Sequence, residues 1–279
     1  MFALAELVFV KLGGSLITDK NVEARARPEV IRRLALEVRR ALDRRPDLRI
    51  VLGHGSGSFG HRVAERYRVH EGLGTPSPAN GGSEWRGYAL TGAAATRLNR
   101  IVTDICLDVE LPVVSIQPSA SARCCKGEVR EMSVYPVQEV LKHGLIPLVY
   151  GDVALDESWG TTIASTEAIF VYLARQLRPQ RILLLGEVEG VYTGDPRKDA
   201  QAELISTIQA SRIDEAERGL GGSHAVDVTG GMRSKVYWMV GLLRDLPGLR
   251  VQVLSGLDPG LLETALIDSQ CRAGTWITA

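Results

Sequence analysis

Lys11-Leu-Gly-Gly-Ser-Leu-Ile-Thr-Asp-Lys20 and Gly53-His-Gly-Ser-Gly-Ser-Phe-Gly-His61 are the two stretches that decide the fold. Each follows or ends an apolar run, Leu7-Val-Phe-Val10 in one case and Leu48-Arg-Ile-Val-Leu52 in the other, that reads as a buried strand. Two glycine-rich turns therefore sit at the carboxyl ends of two strands near the start of the chain. Glycine lets backbone N–H groups turn toward a bound oxyanion, and a following helix adds the positive end of its dipole. Lys11, Lys20 and His61 lie in the same two turns and add charge. The pattern is equipment for holding phosphate groups, more than one at once.

Outward from these turns, strand-like and helix-like runs alternate. Val30, Ile31, Leu34, Ala35, Val38 and Leu42 have helical spacing over residues 28–43, with Pro28 and Glu29 suited to a first turn. Residues 67–84 read as loop, and 85–109 as a long helix. Strands are expected over 113–116, 145–149, 181–185 and 250–254. Helices are expected over 136–143, 165–177, 211–218, 232–245 and 260–267. Residues 117–135 read as a small hairpin insert. Such alternation predicts an α/β fold with a mostly parallel central sheet between layers of helices. A change of motif near residue 178 predicts two lobes that share the sheet, 1–178 and 179–279.

Composition narrows the function classes. The chain has 279 residues, with 33 basic and 33 acidic side chains. That balance gives no argument for nucleic acid or for an anionic membrane as a partner. No signal-like start and no membrane-spanning apolar run is present. Cys106, Cys124, Cys125 and Cys271 form no CxxC and no metal spacing, so reduced cytoplasmic thiols are expected and no metal-ligand cluster.

Gly55-Ser-Gly57-Ser-Phe-Gly60 matches GxGxxG after a strand. A dinucleotide fold needs a second strand ending in an acid about 20 residues on. Here that distance falls in the glycine- and proline-rich loop, where Glu71 and Glu84 end no apolar strand, so NAD is rejected. A Walker lysine loop is absent. Lys11 lies where a strand becomes a glycine turn, which aims it into a cleft at the sheet edge. Lys20 alone would pass for a solvated lysine, and His54 reads as a packing or hydrogen-bonding residue. His61 follows the turn and is expected to begin a helix. The second half repeats the theme with Gly151-Asp152, Gly160-Thr-Thr-Ile-Ala-Ser-Thr-Glu167, Gly186-Glu-Val-Glu-Gly190-Val-Tyr192 and Asp227-Val-Thr-Gly-Gly-Met-Arg-Ser-Lys235. Each could be a plain turn, but four at alternating strand ends argue for a shared site.

Taken together these motifs resemble the amino acid kinase superfamily and, within it, the isopentenyl phosphate kinases. The similarity covers nearly the whole chain. Its signature is His61 after Gly-x-Gly-x-Phe-Gly, joined to Lys11–Lys20, to Ser115-Ile-Gln-Pro-Ser119 and to Asp227-Val-Thr-Gly-Gly-Met232. The resemblance implies an open αβα sandwich that forms a homodimer through lobe 1–178, with ATP held by lobe 179–279. It implies ATP-dependent phosphorylation of isopentenyl phosphate to the diphosphate, with Mg²⁺, in the cytoplasm. Carried over by position, Lys11 and Lys20 would neutralise the transferring phosphoryl group. His61 would hold the acceptor phosphate with backbone from Gly55, Ser56 and Gly160. Gly13, Gly14, Ser15 and Gly57, with Lys11, would cradle the ATP phosphates. Gly186, Gly190, Tyr192, Gly231 and Lys235 would line the nucleotide site. The family's Ser-Gly-Asp reads Ser165-Thr166-Glu167 here, so Glu167 would take the place of the aspartate that orients a lysine.

A phosphate monoester is mostly ionised near neutral pH, its second pKa being about 6. Such an acceptor oxygen is already a nucleophile and needs no general base. The protein must instead align two mutually repelling anions and neutralise them. A kinase acting on fosfomycin would use the same histidine. Its pocket would differ only where a prenyl tail needs apolar walls, for which Tyr88, Ala89, Gly92, Ala93 and Thr96 are candidates. A nucleotide-binding regulator without turnover would lack Lys11 or Lys20.

Overall fold

Side chains along the first strand alternate between two apolar environments, and that alternation builds three layers. In β1 (Leu7–Leu12), Val8, Val10 and Leu12 enter one buried cluster and Phe9 enters another. Successive strand side chains point to opposite faces, so the sheet is covered on both. The computed structural model describes residues 5–69, 83–217 and 230–279. The first half continues with α1 (Gly14–Ile17), α2 (Pro28–Arg44), β2 (Arg49–His54), α3 (Gly57–Arg66), α4 (Ser83–Asp108), β3 (Val113–Ser115), β4 (Arg123–Cys125), β5 (Glu128–Glu131), α5 (Tyr135–Lys142) and β6 (Ile146–Tyr150). Then come β7 (Asp152–Asp156), β8 (Gly160–Ala164), α6 (Thr166–Leu177), β9 (Arg181–Gly186), β10 (Val191–Tyr192), β11 (Leu204–Ile205), β12 (Thr207–Gln209), α7 (Ala210–Glu217), α8 (Gly230–Asp245), β13 (Arg250–Ser255), α9 (Leu261–Ile267) and β14 (Thr275–Thr278).

Eight strands form the main sheet in the order β12-β14-β13-β9-β1-β2-β6-β3. Only β13 and β14 pair antiparallel within it. Helices α2, α4 and α9 cover the face of Val8 and Val10, while α6 and α8 cover the face of Phe9. In α2, Ile31, Leu34, Ala35, Val38 and Ala41 recur at helical spacing and face the sheet. This is the expected open αβα sandwich. The two halves of the chain contribute four strands each to one continuous sheet. Among the described residues no helix is long and apolar enough to cross a membrane.

The strand order reverses at β1. From there β2, β6 and β3 extend to one side, and β9, β13, β14 and β12 to the other. Loops leaving neighbouring strands at such a reversal diverge and open a crevice at the carboxyl ends. The glycine turns after β1 and β2, and Gly186 at the end of β9, all border it.

The insert at 117–135 forms the β4–β5 hairpin as expected. The segment 152–164 does not follow expectation. It is a second antiparallel hairpin, β7–β8, which joins β4 and β5 in a four-stranded sheet. Its turn has no Asn-Gly or Asp-Gly signal. Asp156 holds it instead: its carboxylate accepts the N–H groups of Ser158 and Trp159 in its own turn and of Lys126 and Gly127 in the other. The short strands β10, β11, β12 and β14 were also not expected, being too brief to show a period. Of the loop expected over 67–84, residues 70–82 lie outside the described residues and Ser83 already begins α4; the Asp227-Val-Thr part of the last motif also lies outside them.

Arg181 is fully buried at the start of β9. Its Nε and Nη2 donate to the two carboxylate oxygens of Glu6 at 2.6 and 3.2 Å, and it donates to the carbonyls of Ala265 and Leu266. Those carbonyls belong to the last turn of α9, which lacks intrahelical donors. One guanidinium thus ties the start of the chain, β9 and α9 together. Arg181→Met should lower stability by about 3–5 kcal/mol, the range for breaking a buried pair. Arg181→Lys should recover only part, since an ammonium cannot reproduce the fork. Urea unfolding of the three proteins checks this; a loss below about 1 kcal/mol in Arg181→Met would put the pair among weak surface contacts.

Candidate phosphate-binding site

Strand alternation puts Lys11 on the face of Phe9, two residues earlier. Helix periodicity puts Glu167 one turn before Phe170. The rings of Phe9 and Phe170 lie 5.0 Å apart, and one layer further on Lys11 Nζ donates to Glu167 Oε1. The pair is buried, with Lys11 6% and Glu167 5% exposed. Ser165 caps α6 by accepting the Ala168 N–H at 3.1 Å, which fixes where the helix begins. Burial is the largest influence on Glu167 and opposes its ionisation. Lys11, Lys235 and its own backbone N–H outweigh it, so the carboxyl lies below its ordinary pKa.

The two glycine turns touch each other. A Cβ on Gly14 would lie 2.6 Å from the Gly57 nitrogen, and one on Gly57 would lie 2.2 Å from Thr18 Oγ1. Gly57 also has φ +50. Thr18 stitches the turns together, donating to Gly14 O at 2.7 Å and accepting the Ser58 N–H at 3.0 Å. Not every glycine supplies a donor. Gly13 N–H is engaged by Leu185 O at 2.8 Å and Gly55 N–H by Leu12 O at 3.0 Å. These two residues, expected to cradle phosphates, contribute space rather than N–H groups. The Ser56 N–H has no hydrogen-bond partner among the described residues.

His61 does not begin a helix. α3 starts at Gly57, so His61 is already in its second turn, with Nδ1 3.3 Å from Ser56 Oγ. Its side chain is exposed, yet enough protein surrounds the ring for burial to be the largest influence on it. Burial lowers its pKa most, and Lys11 and Lys235 lower it further. Lys235, expected at the nucleotide, lies within the electrostatic reach of Lys11, Glu167 and Lys20; burial chiefly, then Lys11, pull its pKa down. Lys20 Nζ is 2.7 Å from Glu187 Oε2, a carboxylate that also binds Arg27 and Arg197 at 3.1 Å each. Sequence reasoning missed Thr18 and Glu187. It also missed Thr166, whose hydroxyl donates to His54 O at 2.7 Å.

Other expected residues are placed unevenly. Gly160 pairs with Asp156 at the outer end of the β7–β8 hairpin. The inner end, Asp152 with Ala164, is the one that adjoins Gly151 and Thr166. Four strand residues separate the two ends, about 13 Å, so the structure does not bring Gly160 to the turns. The hairpin that sets Gly160 there was not expected. Gly190 packs against Thr275, whose Oγ1 would lie 2.5 Å from an added Cβ. Tyr192 donates to Glu189 Oε2 at 3.0 Å, beyond Gly186 at the crevice edge. Gly231 lies in the first turn of α8, and Ser15 lies in α1 beside Gly14. Of the tail-lining candidates, Ala89, Ala93 and Thr96 are exposed, while Gly92 faces Val153. Next to His61 along α3, Ala64 enters a small apolar cluster with Val69, Val153, Tyr67, Tyr88 and Ile163. No cluster of three or more His, Cys, Asp or Glu side chains suited to a metal occurs among the described residues.

The amino acid kinase family model matches residues 6–255. The chain is 34% identical over 275 residues to the isopentenyl phosphate kinase of Methanothermobacter thermautotrophicus, covering 98% of this chain and 99% of that protein. It is 32% identical over 235 residues to the isopentenyl phosphate kinase of Methanocaldococcus jannaschii, covering 82% and 85% of the two. A crystallised isopentenyl phosphate kinase superposes with a TM-score of 0.83 at 31% identity, covering 98% of this chain and all of that one.

The Lys11–Glu167 pair gives a pH signature. The folded-state pKa of Glu167 is depressed from 4.5. Its stabilising contribution is therefore complete above the unfolded value and disappears as pH falls through the folded one. Glu167→Gln should be less stable than the parent by about 3–5 kcal/mol at pH 7, since it strands a buried ammonium. The gap should narrow below pH 4.5. Denaturant midpoints from pH 7 to pH 3 measure it; a gap independent of pH would contradict an ionised Glu167.

Proposed function

Since the chain belongs to the amino acid kinase family, we propose that it transfers the γ-phosphoryl group of ATP to isopentenyl phosphate, giving ADP and isopentenyl diphosphate. One observation carries the reading. His61, with Nδ1 3.3 Å from Ser56 Oγ, precedes by one helical turn Ala64, which enters a small apolar cluster with side chains of α4 and the β7–β8 hairpin. A phosphate at His61 would send a short hydrocarbon tail toward Ala64, Val153 and Tyr88. A phosphonate such as fosfomycin, the alternative, carries only a short epoxide group and would leave much of that space empty, and the two relatives named above are isopentenyl phosphate kinases.

The acceptor oxygen is already anionic, so the residues' work is alignment and charge neutralisation. His61 and Ser56 N–H hold the acceptor phosphate. A bound dianion beside His61 favours imidazolium, reversing the effect of burial. Lys11, fixed by Glu167, and Lys20 stand over the phosphoryl group in flight, with Lys235 adding charge from α8. ATP lies on the side of residues 179–279, its phosphates over Gly14, Ser15 and Gly57, and its nucleoside toward Gly186, Gly190, Tyr192 and Gly231. Glu167 and Glu187 are both occupied by cations. Mg²⁺ would therefore be held by the nucleotide phosphates and water, where it neutralises oxygen charge. We place the enzyme in the cytoplasm, as a homodimer joined through residues 1–178.

Three outcomes are expected. A coupled ADP-release assay should show turnover with isopentenyl phosphate and far less with fosfomycin; the reverse order would overturn the acceptor. His61→Ala should lose about 3–4 kcal/mol of transition-state stabilisation, as for one preorganised donor, with ATP affinity nearly intact. Lys20→Met should lower kcat far more than it raises KM. An unchanged kcat in that variant would make Lys20 an ordinary surface lysine.

A further inference from the structure

We propose that His54, through an Nδ1–H hydrogen bond to its neighbour's carbonyl, sets the peptide plane that aims the Ser56 N–H at the acceptor phosphate. His54 Nδ1 lies 3.1 Å from Gly55 O. A carbonyl only accepts, so this contact requires a proton on Nδ1. In a trans peptide the C=O and the following N–H point in opposite directions, and the chain has no cis bond among the described residues. Holding Gly55 O toward the buried ring therefore turns the Ser56 N–H toward the crevice. The other end of Gly55 is fixed as well, its N–H bound to Leu12 O. This inference rests on the acceptor reading of Ser56; the protonation of the ring does not.

Proton counting fixes the rest of the network. His54 Nε2 faces Asn99 Oδ1 at 3.2 Å, and Asn99 Nδ2 faces Ser115 Oγ at 2.6 Å. A neutral ring has one proton and cannot donate to Gly55 O and Asn99 Oδ1 together. A charged ring is opposed by complete burial and by nearby Lys11. A half-turn of the Asn99 carboxamide satisfies every group. Asn99 then donates to Nε2 and accepts the Ser115 hydroxyl proton. Tyr150 holds the ring plane, stacked at 5.6 Å with an interplanar angle of 8°. His54 O is independently bound by Gly151 N–H at 3.0 Å and Thr166 Oγ1 at 2.7 Å. Backbone and ring of His54 thus anchor three loops at the crevice.

Asparagine places an amide where Nδ1 sits, and glutamine places one where Nε2 sits. His54→Asn should keep the acceptor KM within about threefold of the parent, whereas His54→Gln should raise it about tenfold, the equivalent of one hydrogen bond of roughly 1.4 kcal/mol. The ATP KM should change little in either. Equal effects of the two variants, or parallel rises in both KM values, would overturn the proposal. Long-range ¹H–¹⁵N NMR of the histidine rings in the unliganded full chain gives a second reading. The resonance lost in His54→Asn should show a protonated Nδ1 and an unprotonated Nε2; an Nε2–H ring would overturn the proposal even if His54→Gln does not fold. An Nδ1–H ring in a protein that does not turn over isopentenyl phosphate would sink the proposed function alone.

Discussion

A lysine at the end of the central strand is buried against a glutamate in the first turn of a helix, and the crevice depends on that pair. Taking both charges out of water costs several kcal/mol, which is offset only if the partners meet in good geometry. The contact is set by two periodicities that have no slack. Phe9 and Phe170 pack one layer below, so β1 and α6 cannot slide without breaking either the ring contact or the ion pair. The start of α6 is in turn fixed by Ser165 and by Thr166, which bonds to β2 at His54 O. Strands β1 and β2 and helix α6 are therefore locked at the point where strand order reverses. Lys235 adds a second ammonium to the one carboxylate and leaves the floor of the crevice with an excess of positive charge.

Much of this was legible in the sequence because it follows from local pattern. Apolar runs such as Leu7–Val10 gave the strands, helical spacing in α2 gave the cover, and glycines after β1 and β2 gave the crevice. Glu167 was legible as a longer substitute for an aspartate, and it does reach Lys11. Beyond strands too short to show a period, much of what was not legible has a common cause: hydrogen bonds between distant segments leave no trace in spacing. Gly13 and Gly55 look like phosphate donors until Leu185 O and Leu12 O are seen to occupy their N–H groups. Gly160 looks like part of a turn into α6 until the β7–β8 register carries it to the far end of a hairpin. That hairpin is held by Asp156 across a separation of about thirty residues, a contact no window of sequence contains. His54 is the instructive case. Its reading as a packing or hydrogen-bonding residue covers its ring contacts to Gly55 O and Asn99 Oδ1, but no sequence pattern tells which ring nitrogen carries the proton.

The cations of the crevice divide into two kinds, and the division follows exposure. Lys11 sits on a buried carboxylate and has nowhere to go. Lys20 is half exposed, with 50% of its side chain in contact with solvent, and shares Glu187 Oε2 with Arg197 while Arg27 takes Oε1. Burial resists ionisation of Glu187 most strongly, and the three cations more than compensate. One carboxylate neutralises one charge, so three cations around it leave the rim positive. Only the lysine end of this pair is in water, Arg27 and Arg197 remain on Glu187 when it leaves, and a polyphosphate offers more charge than a single carboxylate. Lys20 can therefore exchange Glu187 for phosphate oxygens without a buried group being stranded. Removing Lys11 from Glu167 would strand one. In the proposed transfer Lys11 would be the fixed cation that defines the line of transfer, and Lys20 the movable one that follows the charge along it.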